Sequence, residues 1–487
     1  MGETLSLLFC AREDGSYEVQ LKESWSGHAV SGCFVPPYTS KQIGALQKKL
    51  NTLESSDTEL RGIGYRLFCA ISGTDPSQCQ PSPPAEGSVA AVLRNVIQRT
   101  LKRRGTVALT LIFAPGCEEF VRFPWELLYN GNHFLIASGI FTLSRALLRP
   151  DAPVGSELPV HPPFRILYIS ASPSNFAPLE TERSFEAMEE ALNPLIETGQ
   201  VFLDRLEPPT FSQFVRYLNS YGGAGTFDDS DTTLPCYVVH FDGHGAYGKL
   251  CPKDGCETVN NPDARKCSKC GTSLSRVQAQ TYLCFCDDEG YNNFIDTQSL
   301  RGVLVSSDVH LAVFAACETA TVTNDKAAGG TAPSSQHLTA VDSTLATSLV
   351  TAQVPAVVAM PFSLQDDLSP TFMYHFYEAL ADGRTLEEAL ARARQAMLPM
   401  QQKSWFIPVL YRHVAEDDEG PVALMIASDA QDEHAHPLAH LGPPASFVGR
   451  ERELHDIEQL LTLAATDWSG PTARRGHASN RGIIILP

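Results

Sequence analysis

The chain has 487 residues, of which 43% are hydrophobic and 19% are charged, and its formal net charge is −19. This length is sufficient for two or three domains, each with its own core. The negative charge disfavours direct nucleic-acid binding, and the sequence shows neither a run of roughly 18 apolar residues that would span a membrane nor a secretory signal at its start. We therefore expect a cytoplasmic protein with no membrane span and no direct nucleic-acid partner.

The first region, residues 1–150, combines strands with one clear helix. Apolar residues recur at helical spacing over 90–103, and the run VALTLIF over 107–113 is typical of a buried strand. A Pro-rich joint at 149–163 then precedes a second series of elements.

The second region, residues 151–428, alternates strands with helices. We expect strands over 165–170, 236–241, 311–316 and 356–360, and helices over 180–195, 211–220, 343–352, 369–382 and 385–397. This alternation predicts an α/β fold whose mostly parallel sheet is covered by helices on both faces, which gives three αβα layers.

Four of the thirteen cysteines lie within twenty residues, in the pattern Cys251-x4-Cys256-x10-Cys267-x2-Cys270. In a chain without an export signal, this paired spacing favours a metal over disulfides. Four thiolates close tetrahedrally around Zn²⁺ and leave no open position, so the predicted zinc is structural. The small zinc ribbon, 249–273, would either shape substrate access or dock a partner.

A His and a Cys follow two of the predicted strands. CYVVHF leads into the sequence DGHG, which contains His244 and Gly245, and LAVFAA ends at Cys317. Reactive groups lie beyond the carboxyl ends of strands in open parallel sheets, so a thiol and an imidazole there fit a nucleophile and its base. The amides of Gly245 and Cys317 would stabilise an oxyanion. The alternative is that His244 caps a turn and Cys317 is a small buried hydrophobe.

HFDGHG, followed about seventy residues later by VFAACETA, resembles the paired signature of the CHAT family of caspase-like (clan CD) cysteine peptidases, which are relatives of separase. FPWELL resembles the family's upstream element, and the segment 343–398 resembles its C-terminal half. The resemblance covers about residues 100–415. It implies a caspase-like fold in which 151–428 form the catalytic domain and 1–150 form a first half without catalytic groups.

Carried over residue by residue, the resemblance assigns three catalytic roles. The general base falls on His244, because His240 lies within the predicted strand. The nucleophile falls on Cys317, and the oxyanion glycine falls on Gly245.

The loop MPFSLQDD matches the family at its acidic end, Asp366 and Asp367, but lacks the usual Trp. The resemblance implies that these two acids line the substrate pocket, where they would favour a basic side chain before the cut. The alternative is that one of them caps the helix that follows.

The last sixty residues differ in character. Residues 429–446 are polar and contain His and Pro, as expected for a linker. FVGREREL, which begins the segment 447–487, resembles the opening of STAND-type NTPases such as NACHT modules. We interpret this segment as the start of such a domain, truncated before its Walker A loop.

The predicted function is that of a regulated cysteine endopeptidase, the effector domain of a bacterial-type signalling or defence sensor. Its expected partners are a protein substrate and its own missing NTPase or sensor region. The alternative is a non-catalytic adaptor, in which the caspase-like fold and the ribbon only bind partner proteins. The presence of both His244 and Cys317 favours the peptidase, because a scaffold requires neither.

Overall fold

The structure is a computed structural model. It describes residues 3–51, 55–75, 85–148, 162–221, 234–317, 343–352, 354–361, 368–398 and 404–414. All of these belong to the compact unit Met1–Ser428. The predicted linker and NTPase segment, 429–487, lie outside the described residues, as do Asp366 and Asp367.

The N-terminal part contains five strands and three helices among its described residues. These are β1 (Thr4–Ala11), β2 (Tyr17–Glu23), β3 (Ala29–Phe34), α1 (Ser40–Asn51), α2 (Asp57–Ser72), α3 (Val89–Arg103), β4 (Val107–Phe113), the short 3₁₀ helices Glu118–Arg122 and Trp125–Leu127, and β5 (Phe141–Leu148). Helix α3 begins after Ser88, whose side chain accepts the Ala91 N–H and so satisfies a free donor of the first turn.

The remaining elements carry the candidate site. They are β6 (Phe164–Ala171), α4 (Thr181–Glu197), β7 (Val201–Arg205), α5 (Phe211–Tyr221), β8 (Cys236–Leu250), β9 (Val259–Asn260), β10 (Gln280–Cys286), β11 (Asn292–Asp296), α6 (Thr297–Val305), β12 (Leu311–Cys317), α7 (Ser343–Thr351), β13 (Ala356–Ala359), α8 (Ser369–Ala381), α9 (Leu386–Met397) and β14 (Val409–Val414).

The central sheet contains two parallel blocks. Neighbours run parallel in the C-terminal block, β7-β6-β8-β12-β13, and in the N-terminal block, β14-β5-β4-β1. Because β13 and β14 run antiparallel, the carboxyl ends of the two blocks lie at opposite edges of the sheet. Strands from before and after residue 150 thus share one sheet, and the predicted α/β class with a mostly parallel sheet is confirmed.

Helices cover both faces of the C-terminal block. Successive side chains of a strand point to opposite faces. On β8, Nδ1 of His240 lies 2.9 Å from the Tyr377 hydroxyl of α8. The Phe241 ring instead contacts Phe285, which contacts Phe214 of α5. Helices α4, α8 and α9 pack together on the first face and α5, α6 and α7 on the second, so the predicted αβα layering is confirmed.

Strand β8 is longer than the sequence predicted. We expected a strand that ends at residue 241, but β8 continues to Leu250 and includes His244. The prediction was wrong because the glycines of DGHG favour a turn, whereas β10 pairs with residues 244–248 and continues the ladder after β6 ends at Ala171. Packing explains the glycine at position 243, because a Cβ there would lie 2.9 Å from the Ala171 carbonyl oxygen.

A buried charge cluster lies against the N-terminal block. Arg145 of β5 pairs with Glu126, whose other oxygen is 3.6 Å from Nη2 of Arg394. Arg412 of β14 lies 3.7 Å from Glu387, measured from Nη1 to Oε1. The five side chains are at most 3% exposed. Buried charges persist in proteins when they are paired, so this cluster is part of the core.

Of the helices in the part of the chain that the structure describes, none combines the length and apolar character that crossing a membrane requires.

Candidate active site

His244 and Cys317 are register partners in neighbouring strands. Strands β8 and β12 run parallel, and their ladder ends with the pair His244–Cys317. Partner Cα atoms in adjacent strands are about 4.8 Å apart. Cys317 is the last residue of β12, and β6 ends beside Gly243, one step earlier. The pair therefore lies at the carboxyl ends of parallel strands, where α/β proteins place ligands and reactive groups.

The His244 imidazole is buried and makes one hydrogen bond within the described residues. Its Nε2 lies 3.0 Å from the carbonyl oxygen of Ala177. A carbonyl oxygen only accepts, so Nε2 carries the proton and Nδ1 of the neutral ring keeps the lone pair. Nδ1 has no hydrogen-bond partner among the residues that the structure describes. In this tautomer the ring can accept a proton at Nδ1.

The surroundings also favour the neutral form of His244. Burial lowers its pKa below the usual value, and the hydrogen bond to Ala177 opposes this change only in part. The neutral ring is the form that can accept a proton, and a lowered pKa favours that form.

The loop that carries Ala177 packs against the imidazole ring. It spans 172–180 and connects β6 to α4. The ring centroid of Phe176 lies 5.1 Å from that of His244 and 6.1 Å from that of Phe294 in β11. Sequence reasoning missed this loop, because its contribution to His244 is a backbone carbonyl that no residue type encodes.

His240 lies on the same face of β8 but in the middle of the sheet. It pairs in register with Val313 of β12, and its ring stacks on Tyr168. Complete burial lowers its pKa to about 3. Its Nε2 also has no hydrogen-bond partner within the described ranges, so an unpaired nitrogen alone does not separate the two histidines. Both histidines lie within β8. They differ in position, because only His244 lies where the neighbouring strands β6 and β12 end.

Asp242 is a buried acid that the sequence did not single out. Its Oδ2 lies 2.8 Å from the hydroxyl of Tyr168, which is also 2.8 Å from the Thr181 carbonyl oxygen at the start of α4. These contacts tie β8 to β6 and α4 directly beneath the His244–Cys317 pair. The pKa of Tyr168 is raised, first by burial and then by Asp242.

Gly245 is buried in β8 immediately after His244 and pairs in register with Leu283 of β10. It therefore lies next to the pair, and its oxyanion role stays a prediction. The proposed pocket acids, Asp366 and Asp367, lie outside the described residues, so their role also stays a prediction.

The four clustered cysteines converge on one point. Their Sγ atoms all lie within 4.8 Å of one another. The Sγ atoms of Cys251 and Cys270 are 3.5 Å apart, and those of Cys256 and Cys267 are 3.7 Å apart. Tetrahedral coordination with Zn–S bonds of about 2.3 Å requires sulfur atoms about 3.8 Å apart. The donor set and its spacing therefore fit a structural tetrathiolate metal.

The segment around these cysteines has little other core. Three of the cysteines and Leu274 form its buried cluster. Asn260 of β9 joins the two halves, because its Oδ1 accepts the Ser268 N–H at 2.8 Å and its Nδ2 donates to the Thr258 carbonyl at 3.0 Å. Binding of a metal contributes folding free energy to small segments with so few buried apolar residues. It connects β8 to β10, the two strands that pair beside His244.

These features define an α/β protein with a candidate Cys–His pair at the carboxyl edge of its C-terminal block. The chain belongs to the CHAT domain family, whose model matches residues 88–469. The predicted family membership is thus confirmed.

Among solved structures, the chain is similar to the crystal structure of the Saccharomyces cerevisiae separase–securin complex. The match covers 84% of this chain, at 10% sequence identity and a TM-score of 0.37. The match covers 30% of that chain. A comparison with curated proteins found no match.

Proposed function

We propose that the protein is a cysteine endopeptidase in which Cys317 is the nucleophile and His244 is the general base. The observation that carries this proposal is the register pairing of His244 in β8 with Cys317 at the carboxyl end of β12, one residue beyond the point where β6 stops pairing with β8. Membership of the CHAT domain family supports the class of reaction.

The chemistry begins with proton transfer from the Cys317 thiol to Nδ1 of His244. The thiolate then attacks the scissile carbonyl carbon, and the amides of Gly245 and Cys317 stabilise the oxyanion. When the C–N bond breaks, His244 returns its proton to the leaving amine and an acyl thioester remains. Water, deprotonated by the same ring, hydrolyses the thioester and restores the thiol.

The Ala177 carbonyl has a defined part in these steps. Its hydrogen bond keeps the other ring proton on Nε2, and its partial negative charge stabilises the imidazolium that forms at each proton transfer. The buried ring is neutral before the reaction, so the thiol proton has an acceptor.

The cysteine cluster has a structural role in this proposal. Four thiolates would hold one zinc ion, which supplies folding energy to the ribbon and takes no part in peptide cleavage. The ribbon would form a wall beside the site, because it connects the two strands that pair beside His244.

The remaining parts of the proposal depend on the sequence resemblance. They are a protein substrate cut after a basic side chain, a pocket formed by Asp366 and Asp367, and control by an NTPase or sensor region in bacterial-type signalling or defence.

Peptidyl acyloxymethyl ketones, which alkylate activated catalytic thiols, provide the test. We expect the Lys or Arg member of a P1-varied set to label Cys317 in the full chain, as mapped by peptide mass spectrometry. His244→Ala should slow this labelling by about 10²–10⁴-fold, the usual contribution of a general base. Asp366→Asn and Asp367→Asn should reduce the preference for a basic P1.

Labelling of Cys317 that is independent of His244, or that is no faster than labelling of the exposed Cys33, would contradict the proposal. That result would favour the adaptor. Loss of the P1 preference without loss of labelling would contradict only the pocket.

A further inference from the structure

The hydrogen-bond acceptor for His244 belongs to a loop, not to a regular element. Ala177 follows the turn at 174–175 and precedes Pro178. Loop carbonyls are not fixed by a ladder of backbone hydrogen bonds, so their positions depend on the contacts that the loop makes. Control of the His244 tautomer therefore requires an anchor for this loop.

Two asparagines supply that anchor. The Asn175 side-chain oxygen accepts the backbone N–H of Asn292 at 3.2 Å, and the Asn175 amide donates to the Asn292 side-chain oxygen. Asn292 is 7% exposed. Ser174 adds a backbone hydrogen bond of 2.9 Å to the Gly290 carbonyl, and its hydroxyl donates to the same oxygen at 3.1 Å.

These contacts lie close to the imidazole. Asn175 precedes Ala177 by two residues, and Phe176 between them packs on the His244 ring. Fixing the loop at Asn175 therefore fixes both the ring that covers the imidazole and the carbonyl that bonds to Nε2.

The residue type at position 292 supports a specific role. Asparagine is depleted in strands, and a buried side-chain amide costs free energy unless its hydrogen bonds are satisfied. Here both ends of the amide have a partner: its oxygen accepts from Asn175, and its nitrogen lies 3.5 Å from the Glu257 carbonyl oxygen in the ribbon. Packing alone gives no reason for an amide at this position.

We propose that Asn175 and Asn292 are positioning residues, whose paired amides hold the loop so that the Ala177 carbonyl keeps the proton on Nε2 of His244. The use of the free Nδ1 in peptide cleavage rests on the proposed function, whereas the tautomer itself does not.

The test is NMR of the full chain labelled with ¹⁵N-histidine, in which the His244 signals are assigned by comparison with His244→Gln. The wild type should show a single Nε2–H tautomer whose ring N–H exchanges slowly with solvent. In Asn175→Ala, which loses both hydrogen bonds to Asn292, we expect exchange to be faster by about tenfold and both tautomers to be populated.

Two variants serve as matched controls. Asn292→Asp keeps the backbone donor and an acceptor for the Asn175 amide, so it should retain the wild-type tautomer. Asn293 follows Asn292 in β11 and pairs in register with Phe285 of β10. The hydrogen bonds to the loop described above do not involve it, so Asn293→Ala should also resemble the wild type. If Asn175→Ala does not fold by circular dichroism, Asn292→Ala takes its place and is compared with Asn292→Asp.

An unchanged His244 spectrum in folded Asn175→Ala would overturn the proposal. An equal change in Asn293→Ala would also overturn it, since the effect would then be general to the strand. Cys317 alkylation, measured in parallel, separates the two claims. If the tautomer responds as expected while Cys317 reacts as an ordinary thiol, the positioning role stands and the peptidase function fails.

Discussion

The buried charge cluster against the N-terminal block and His244 in the C-terminal block differ in how their polar groups are paired. Against the N-terminal block, Arg145 pairs with Glu126 and Arg412 lies beside Glu387, so charges that cannot reach water reach one another. In the C-terminal block, His244 is held at Nε2 while Nδ1 has no partner within the described ranges. Paired groups serve stability, and an unpaired nitrogen at the end of a ladder is available for chemistry.

The ends of the strands differ as well. In the N-terminal block, β4 ends within two residues of its neighbours: its last residue, Phe113, pairs with Phe9 on one side and Leu147 on the other. In the C-terminal block, β8 extends seven residues beyond Gly243, where its pairing with β6 stops. This extension carries His244 and leads into the cysteine ribbon. Because β8 is longer than its parallel neighbours, its residues beyond their ends are positioned at the carboxyl edge of the block, where a site can form.

The largest effect is expected from loss of the metal. Cys256→Ser should reduce bound zinc in the purified full chain from about one ion per chain to nearly none, measured by elemental analysis. Limited proteolysis should then cut within 249–273 while the N-terminal block stays intact. Cys33→Ser, at an exposed thiol outside the cluster, should retain the metal. Equal zinc in both variants would contradict the proposed site.

The next effect concerns the buried charge cluster. Glu126→Ala leaves Arg145 and Arg394 without their carboxylate, so we expect the free energy of unfolding in urea to fall by about 3–5 kcal/mol. Glu186→Ala, at an exposed position of α4, should change it by less than about 0.5 kcal/mol. A folded Glu126→Ala protein should keep the reactivity of Cys317. Loss of that reactivity would contradict a purely structural role for the buried charge cluster.

A smaller effect should come from His240. Its pKa is about 3 in the folded protein, below the ordinary 6.5, so the stability that its neutral form provides is complete above pH 6.5 and is lost as the pH falls towards 3. At pH 5 the loss amounts to about 2 kcal/mol. Urea unfolding at pH 7 and pH 5 should show this loss in the wild type and a reduced loss in His240→Gln. Equal losses in both proteins would show that His240 is not the titrating group.

Much of the fold was predictable, because apolar periodicity reports burial directly. The helix expected over 90–103 is Val89–Arg103, and the strand expected over 107–113 is Val107–Phe113. The end of β8 was not predictable, since it depends on pairing with β10, about forty residues further along the chain. Local sequence gave only the glycines, which favour turns where no partner strand is present.

The candidate site also has parts that the sequence predicted and parts that it could not predict. Side-chain chemistry pointed to His244 and Cys317, and strand register is what makes them neighbours. The Ala177 carbonyl could not be predicted, because every residue has such a group. Asn292 was only weakly indicated, as an asparagine in a strand. Its role depends on its hydrogen bond to Asn175, in a loop more than a hundred residues away in the sequence.

The Cys317–His244 dyad is tested most directly by the pH dependence of iodoacetamide labelling at Cys317 in the full chain, compared between the wild type and His244→Ala by peptide mass spectrometry. We expect the wild-type thiol to react rapidly well below the ordinary thiol pKa of about 8.5, and His244→Ala to return the reaction to that range. Identical profiles with a midpoint near the ordinary value in both proteins would contradict a Cys317–His244 dyad.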